Sequence, residues 1–134
     1  MKEFGSEEEL SKYLGFTMNH IEFDNVNKDA GFTEKVYRVI SGNIGEIDFT
    51  DGTTENYYRK SVGTEDISGD YNEYKYMAEF DGERVSGTLK GDSPEKYQLA
   101  VWSSIDGYIY AAYFEAGLKE SEWNKIIDDC VKGE

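Results

Sequence analysis

Apolar and polar positions alternate with a period close to two over most of this chain, from about residue 16 to residue 116. Side chains on successive residues of a strand point to opposite faces, so this period predicts β-structure, with strands near 16–24, 35–41, 44–50, 54–62, 74–81, 83–90, 96–103 and 108–115. Asp-Gly pairs at 51–52, 81–82 and 106–107 interrupt the alternation. Each reads as a tight hairpin turn of type I′, which needs positive φ at both central residues. Val36 and Ile40 alternate with Tyr37 and Val39, and Leu99 and Val101 with Ala100 and Trp102, so both faces of several strands are fairly apolar. One face should therefore be covered by a helix.

The period changes at the two ends. Ser6 with Glu9 forms a capping box, Leu10, Tyr13 and Leu14 follow at helical spacing, and Gly15 stops the run, which predicts a short helix over 6–14. Leu118, Trp123, Ile126, Ile127, Cys130 and Val131 share one stripe of a second helix over about 119–131, opposite Glu120, Lys125, Asp128 and Lys132. No linker, repeat or low-complexity stretch divides the chain. The expected architecture is one α+β domain over residues 1–134. It has a single antiparallel β-meander sheet of about six to eight strands over 16–116, a short N-terminal helix, and the C-terminal amphipathic helix packed on one face.

Composition sharpens this picture. Aromatic residues make up 15% of the chain, with 11 tyrosines and one proline, a bias that favours sheet. Acidic residues number 28 against 14 basic ones, for a net charge of −14, and the basic residues are dispersed. A duplex or an anionic lipid surface would be repelled, so nucleic acid is excluded as a partner, and the acidic surface is first of all a solubility feature. No run approaches a membrane span, and the opening MKEFGSEEELSKYLG lacks the charged start and apolar stretch of a signal peptide. A soluble monomer is expected.

The residue inventory also limits the chemistry. His20 is the only histidine and Cys130 the only cysteine, so a Cys-His or Ser-His couple would depend on His20, and a zinc site would have at most two such ligands. Packing is the expected role of both. GNIG at 42–45 falls short of a dinucleotide fingerprint, and the serines of SVG, ISG and VSG lie outside any G-x-S-x-G elbow. DNVNKDAG at 24–31 sets Asn25, Asn27 and Asp29 on alternate positions, but Ala30 replaces the required glycine and Val36 stands where the bidentate Glu belongs, so it is not an EF-hand.

Two constellations remain. TEDISGDYNEY at 64–74 offers Glu65, Asp66, Asp70 and Glu73 as oxygen donors, with Asp66, Asp70 and Glu73 the candidate calcium ligands. A turn built from Ser68, Gly69, Asp70 and Asn72 explains the stretch more simply, because those side chains bond nearby backbone. The tyrosines Tyr58, Tyr74, Tyr76, Tyr97, Tyr108 and Tyr110 could line one face as a stacking surface for a sugar or peptide, against the plainer reading of cross-strand aromatic pairs. A carboxylate-dependent hydrolase acting on a glycan is the enzymatic alternative, and a calcium-stabilised fold the other. No catalytic residue is assigned and no cofactor beyond calcium is suggested.

The runs YYRKSVGTEDISGDYNEY, MAEFDGERVSGTLKG and LAVWSSIDGYIYAAYFEAGLKESEWNKIID resemble a bacterial domain family of unknown function, four-three-six-seven in its numbered series. That family is common in secreted lipoproteins and anti-sigma-factor ectodomains of Gram-positive bacteria. The resemblance covers roughly residues 16 to 131, and its firmest marks are EDISGDYN and the aromatic strand running through Ala116-Gly117-Leu118 into the last helix. Lys119 stands where family members usually have a capping Ser. The resemblance implies a site outside the cytoplasmic membrane, secreted or lipid-anchored, and a binding or sensing role toward a protein, peptide or glycan. If Met1 is the true start, the cytoplasm is the expected compartment instead.

Overall fold

Residues 2–19, 21, 31–70 and 72–132 are described by a computed structural model. Among the described residues eight strands form one antiparallel sheet: β1 (Lys2–Phe4), β2 (Thr33–Ile40), β3 (Ile44–Thr50), β4 (Glu55–Val62), β5 (Tyr76–Asp81), β6 (Val85–Gly91), β7 (Tyr97–Ser104) and β8 (Tyr108–Leu118). Helix α1 (Glu7–Leu14) follows β1, and α2 (Glu120–Lys132) closes the described chain. The α+β class and the antiparallel pairing agree with the sequence pattern. The order does not follow a single meander: it is β1-β2-β3-β4-β8-β7-β6-β5. Two four-stranded meanders are thus joined through β4 and β8, which pair from Tyr57↔Tyr113 to Val62↔Tyr108. The physical reason is burial. YIYAAYFEAGL of β8 is the most apolar strand, and the centre of the sheet shields it on both faces.

Because every neighbour is antiparallel, β4 and β5 run in the same direction with β8, β7 and β6 between them. Residues 63–75 must therefore travel across three strands and back along their length. At roughly 4.8 Å per strand this is a diagonal well within the reach of an extended segment at about 3.3–3.6 Å per residue. The stretch read in the sequence as a turn built from Ser68, Gly69, Asp70 and Asn72 lies within this crossover strap.

Registered pairs define the two faces of the sheet. One transverse row is Tyr37, Ile47, Tyr58, Ala112, Ala100, Leu89 and Ala78; the row on the opposite face is Arg38, Glu46, Arg59, Ala111, Val101, Thr88 and Glu79. The first row belongs to a buried cluster that also holds Leu10 of α1 and Trp123, Ile126, Ile127, Cys130 and Val131 of α2. Trp123 packs edge-on against Phe114 at 5.4 Å and donates its indole N–H to the Tyr97 carbonyl at 2.7 Å. The Ser6 cap expected for the first helix is present, and the start of α2 is capped by a side chain that was not anticipated. Ser6 Oγ accepts from Glu9 N at 3.1 Å, and Glu122 Oε1 accepts from Lys119 N at 3.1 Å, so Lys119 opens α2 without a capping hydroxyl.

Several local expectations change. The strand expected over 16–24 is absent in its described part: Phe16–Asn19 and Ile21 have no ladder, while His20 and 22–24 lie outside the described residues. The backbone here is held by side chains instead. Ser11 Oγ accepts from Met18 N at 2.9 Å, the Tyr58 hydroxyl donates to the Met18 carbonyl, and Lys60 Nζ donates to the Thr17 carbonyl at 2.7 Å. Strand β1 was not anticipated, since three residues are too few to show a period. None of the three Asp-Gly turns has positive φ at both residues; Gly52 and Gly107 alone take it, at 94° and 90°. Gly107 N bonds the Ser104 carbonyl and Asp51 caps Thr53 and Thr54, so these are longer loops with a single left-handed glycine. The consecutive positive-φ pair is Ser41–Gly42, between β2 and β3.

Candidate functional site

The strap is organised by a repeating short-range bond. Asp66 Oδ1 accepts from Ser68 N, Ser68 Oγ from Asp70 N, and Asp70 Oδ1 from Asn72 N, each two residues on, at 2.8, 3.2 and 2.9 Å. Acceptors at alternate positions are what Asp, Ser and Asn supply to a chain without a strand partner. Two strap carbonyls are met from the sheet: the Tyr57 hydroxyl donates to the Ser68 carbonyl at 2.9 Å, and Arg59 Nη1 donates to the carbonyls of Ile67 and Ser68.

Arg59 is itself fixed. Its Nε donates to Glu46 Oε1 at 2.8 Å, and its guanidinium lies over the Tyr57 ring at 4.3 Å from the centroid. Glu46, 4% exposed, also pairs with Arg38, which bonds Asp48. Burial, with Glu46 as the second cause, raises the Asp48 carboxyl to about 6 despite Arg38 and Arg59. These groups form a bracing network, because the inner carboxylate is shared between two guanidinium groups.

Beside the anchor lies an open cleft of about 510 Å³, lined by Tyr57, Arg59, Ser68, Asp70, Asn72 and Tyr113. Tyr57 and Tyr113 are directly opposed across β4 and β8, and their rings stack at 5.5 Å with 16° between planes. Tyr74 donates its hydroxyl to Asp70 Oδ2. Burial pushes the Tyr57 phenol up to about 12; burial and then Asp70 raise Tyr74, and burial and then Glu115 raise Tyr113. All three hydroxyls are therefore neutral donors across the physiological range. The cleft thus sets two stacked phenol rings beside a carboxylate, an amide and a guanidinium.

Only Tyr74 among the six tyrosines singled out in the sequence comes near this cleft. Tyr58, Tyr97 and Tyr110 are 1%, 7% and 0% exposed, and Trp102 stacks on Tyr110 at 5.1 Å. Tyr108 packs with Phe16 at 5.5 Å, and Tyr76 is 41% exposed on β5. They do not form one open face, because Tyr58, Tyr97 and Tyr110 are inside the core. Tyr57 and Tyr113 were passed over; their signal was that each sits one residue from a core tyrosine or alanine, on the opposite face of its strand.

Among the described residues no three His, Cys, Asp or Glu side chains group to hold a metal ion. Of the proposed calcium ligands, Asp66 and Asp70 bond the strap itself, and Glu73 is exposed. His20, Asn25, Asn27 and Asp29 lie outside the described residues; Cys130 is buried. A second cleft, of about 490 Å³, opens where β8 bulges at Glu115–Gly117 beside the start of α2. Its two carboxylates already serve as caps: Asp51 for Thr53 and Thr54, Glu122 for Lys119. No described helix is long and apolar enough to cross a membrane. The chain matches no family model, no curated protein and no solved structure.

Proposed function

We propose that this chain is a non-enzymatic binding domain working outside the cytoplasmic membrane, and that a glycan occupies the cleft beside the strap. The observation that carries the binding site is the stacked Tyr57–Tyr113 pair with Asp70, Asn72 and Arg59 at its edge. A sugar ring presents an apolar C–H face that covers an aromatic plane, while its hydroxyls need donors and acceptors at the rim. The compartment rests on the family resemblance of EDISGDYN and the closing aromatic strand alone. In the same reading both helices serve as cover for one face of the sheet, which leaves the strap face for the ligand.

The hydrolase alternative draws no support from these clefts. Glycoside chemistry needs two free carboxyls facing one substrate, and Asp51, Glu122 and Asp70 are each already bonded to backbone groups. A screen of immobilised cell-wall and plant glycans tests the binding reading. Retention of at least one glycan, weakened tenfold or more by Tyr113→Ala with the unfolding midpoint unchanged, is the expected result. Retention of none, or binding indifferent to Tyr113→Ala, would overturn it. A gene carrying a lipoprotein leader or membrane anchor ahead of this segment supports the compartment; a cytoplasmic start at Met1 sinks it.

A further inference from the structure

The sheet ends differently on its two sides. At one side β1 is three residues long; at the other β5 runs for six, Tyr76–Asp81, and among the described residues no strand pairs with its outer side. Long edges are normally blunted by a proline, a lysine, a bulge or a covering segment. YMAEFD contains neither proline nor lysine, and its register with β6 is unbroken from Tyr76↔Gly91 to Asp81↔Ser86. Tyr76 and Met77 are adjacent here and are 41% and 62% exposed.

The side chains of β5 divide by face. Tyr76, Ala78 and Phe80 lie on the side of the buried tyrosine row, continuing Leu89 of β6; Met77, Glu79 and Asp81 lie on the strap side. Glu79, Asp81 and the following Glu83 are all exposed; Lys75 and Lys90 lie near the Met77 end, and Arg84, next to Glu83, is paired with Asp106. We infer that β5 is a docking edge for an extended peptide that alternates apolar and basic residues and adds as a further antiparallel strand. Backbone pairing supplies affinity. Apolar residues continue the Tyr76–Ala78–Phe80 row and cations meet Glu79 and Asp81. A second copy of this chain fits worse. Antiparallel self-pairing centred on Glu79 or on Phe80 opposes carboxylates directly, and each copy carries −14.

The test uses an eight-residue peptide alternating Val and Lys, titrated into the intact chain at low salt. Saturable binding is expected, with slowed amide exchange over 76–81, and it weakens tenfold or more in Glu79→Lys/Asp81→Lys and with a Val/Glu peptide. Only alternate peptide amides face β5, so N-methylating one alternate set should abolish binding while the other set is tolerated. Tyr113→Ala leaves this binding intact, which separates it from the glycan cleft. Equal binding by both N-methylated peptides would mean charge attraction without strand pairing and would overturn the inference. So would the absence of binding, or a concentration-dependent dimer that occupies β5.

Discussion

Strands β4 and β8 are hydrogen-bonded neighbours at the middle of the sheet, yet they are built from opposite materials. ENYYRKSV alternates polar heads on both faces; YIYAAYFEAGL is apolar on both for most of its length. On β8 the side chains bury area: Ala111, Ala112 and Phe114 are at most 1% exposed. On β4 they satisfy irregular backbone. Tyr58 and Lys60 reach Met18 and Thr17 on one face, Tyr57 and Arg59 reach Ser68 and Ile67 on the other, and Asn56 takes Glu115 N where β8 leaves its register. A strand can thus be central and polar when the segments lying over it have no ladder of their own. Lys60, 1% exposed, extends to the Thr17 carbonyl over the Tyr108 ring at 4.3 Å.

The contrast predicts a graded set of losses. The largest belongs to the apolar side: Trp123→Ala removes a fully buried ring from Phe114 of β8 and should lower unfolding free energy by about 3–5 kcal/mol in urea titrations. An unchanged midpoint would mean that α2 is peripheral. Arg59→Ala should follow at about 3 kcal/mol, because it leaves the buried Glu46 to Arg38 alone and takes the Arg59 donor from the Ile67 and Ser68 carbonyls, of which Ser68 keeps only the Tyr57 hydroxyl. Limited proteolysis should then cut within 63–75, and Arg59→Lys should not restore resistance, since one ammonium cannot reach the same partners. Tyr58→Phe removes a single hydroxyl from a buried carbonyl and should cost about 1–2 kcal/mol with the strap still resistant.

A pH series sharpens the comparison on the strap face. Asp48 has a raised folded pKa of about 6, so the native state takes up a proton between that value and the ordinary carboxylate range. Its contribution therefore favours folding on acidification and is lost as pH rises through about 6. Asp48→Asn should stabilise the protein more, relative to the parent, at pH 8 than at pH 4.5, by about 1 kcal/mol after allowance for partial exposure. A difference of the opposite sign would show that the Arg38 pair dominates. At the small end, Lys125→Ala on the exposed side of α2 should stay within about 0.5 kcal/mol.

Local periodicity sufficed for seven strands and both helices, with bounds close to those observed, because pleat and helical turn are imposed by the backbone over a few residues. Capping was equally local: Ser6 and Glu9 act within one turn, and Gly15 takes φ +85° to end it. The bonding of Ser68 and Asp70 side chains to backbone two residues on was readable for the same reason, whereas the same use of Asp66 was not. Tertiary structure alone decided that β8 joins β4, because only long-range burial of the most apolar strand selects that order. From that choice came the route of 63–75 across the sheet, the enclosure of Tyr58 and Tyr110, and the pairing of Tyr57 with Tyr113. It likewise decided that 16–19 would be stitched to β4 by side chains rather than paired as a strand. An apolar alternation says which residues leave water, but which segment covers them depends on partners about forty residues away in Tyr58 and Lys60.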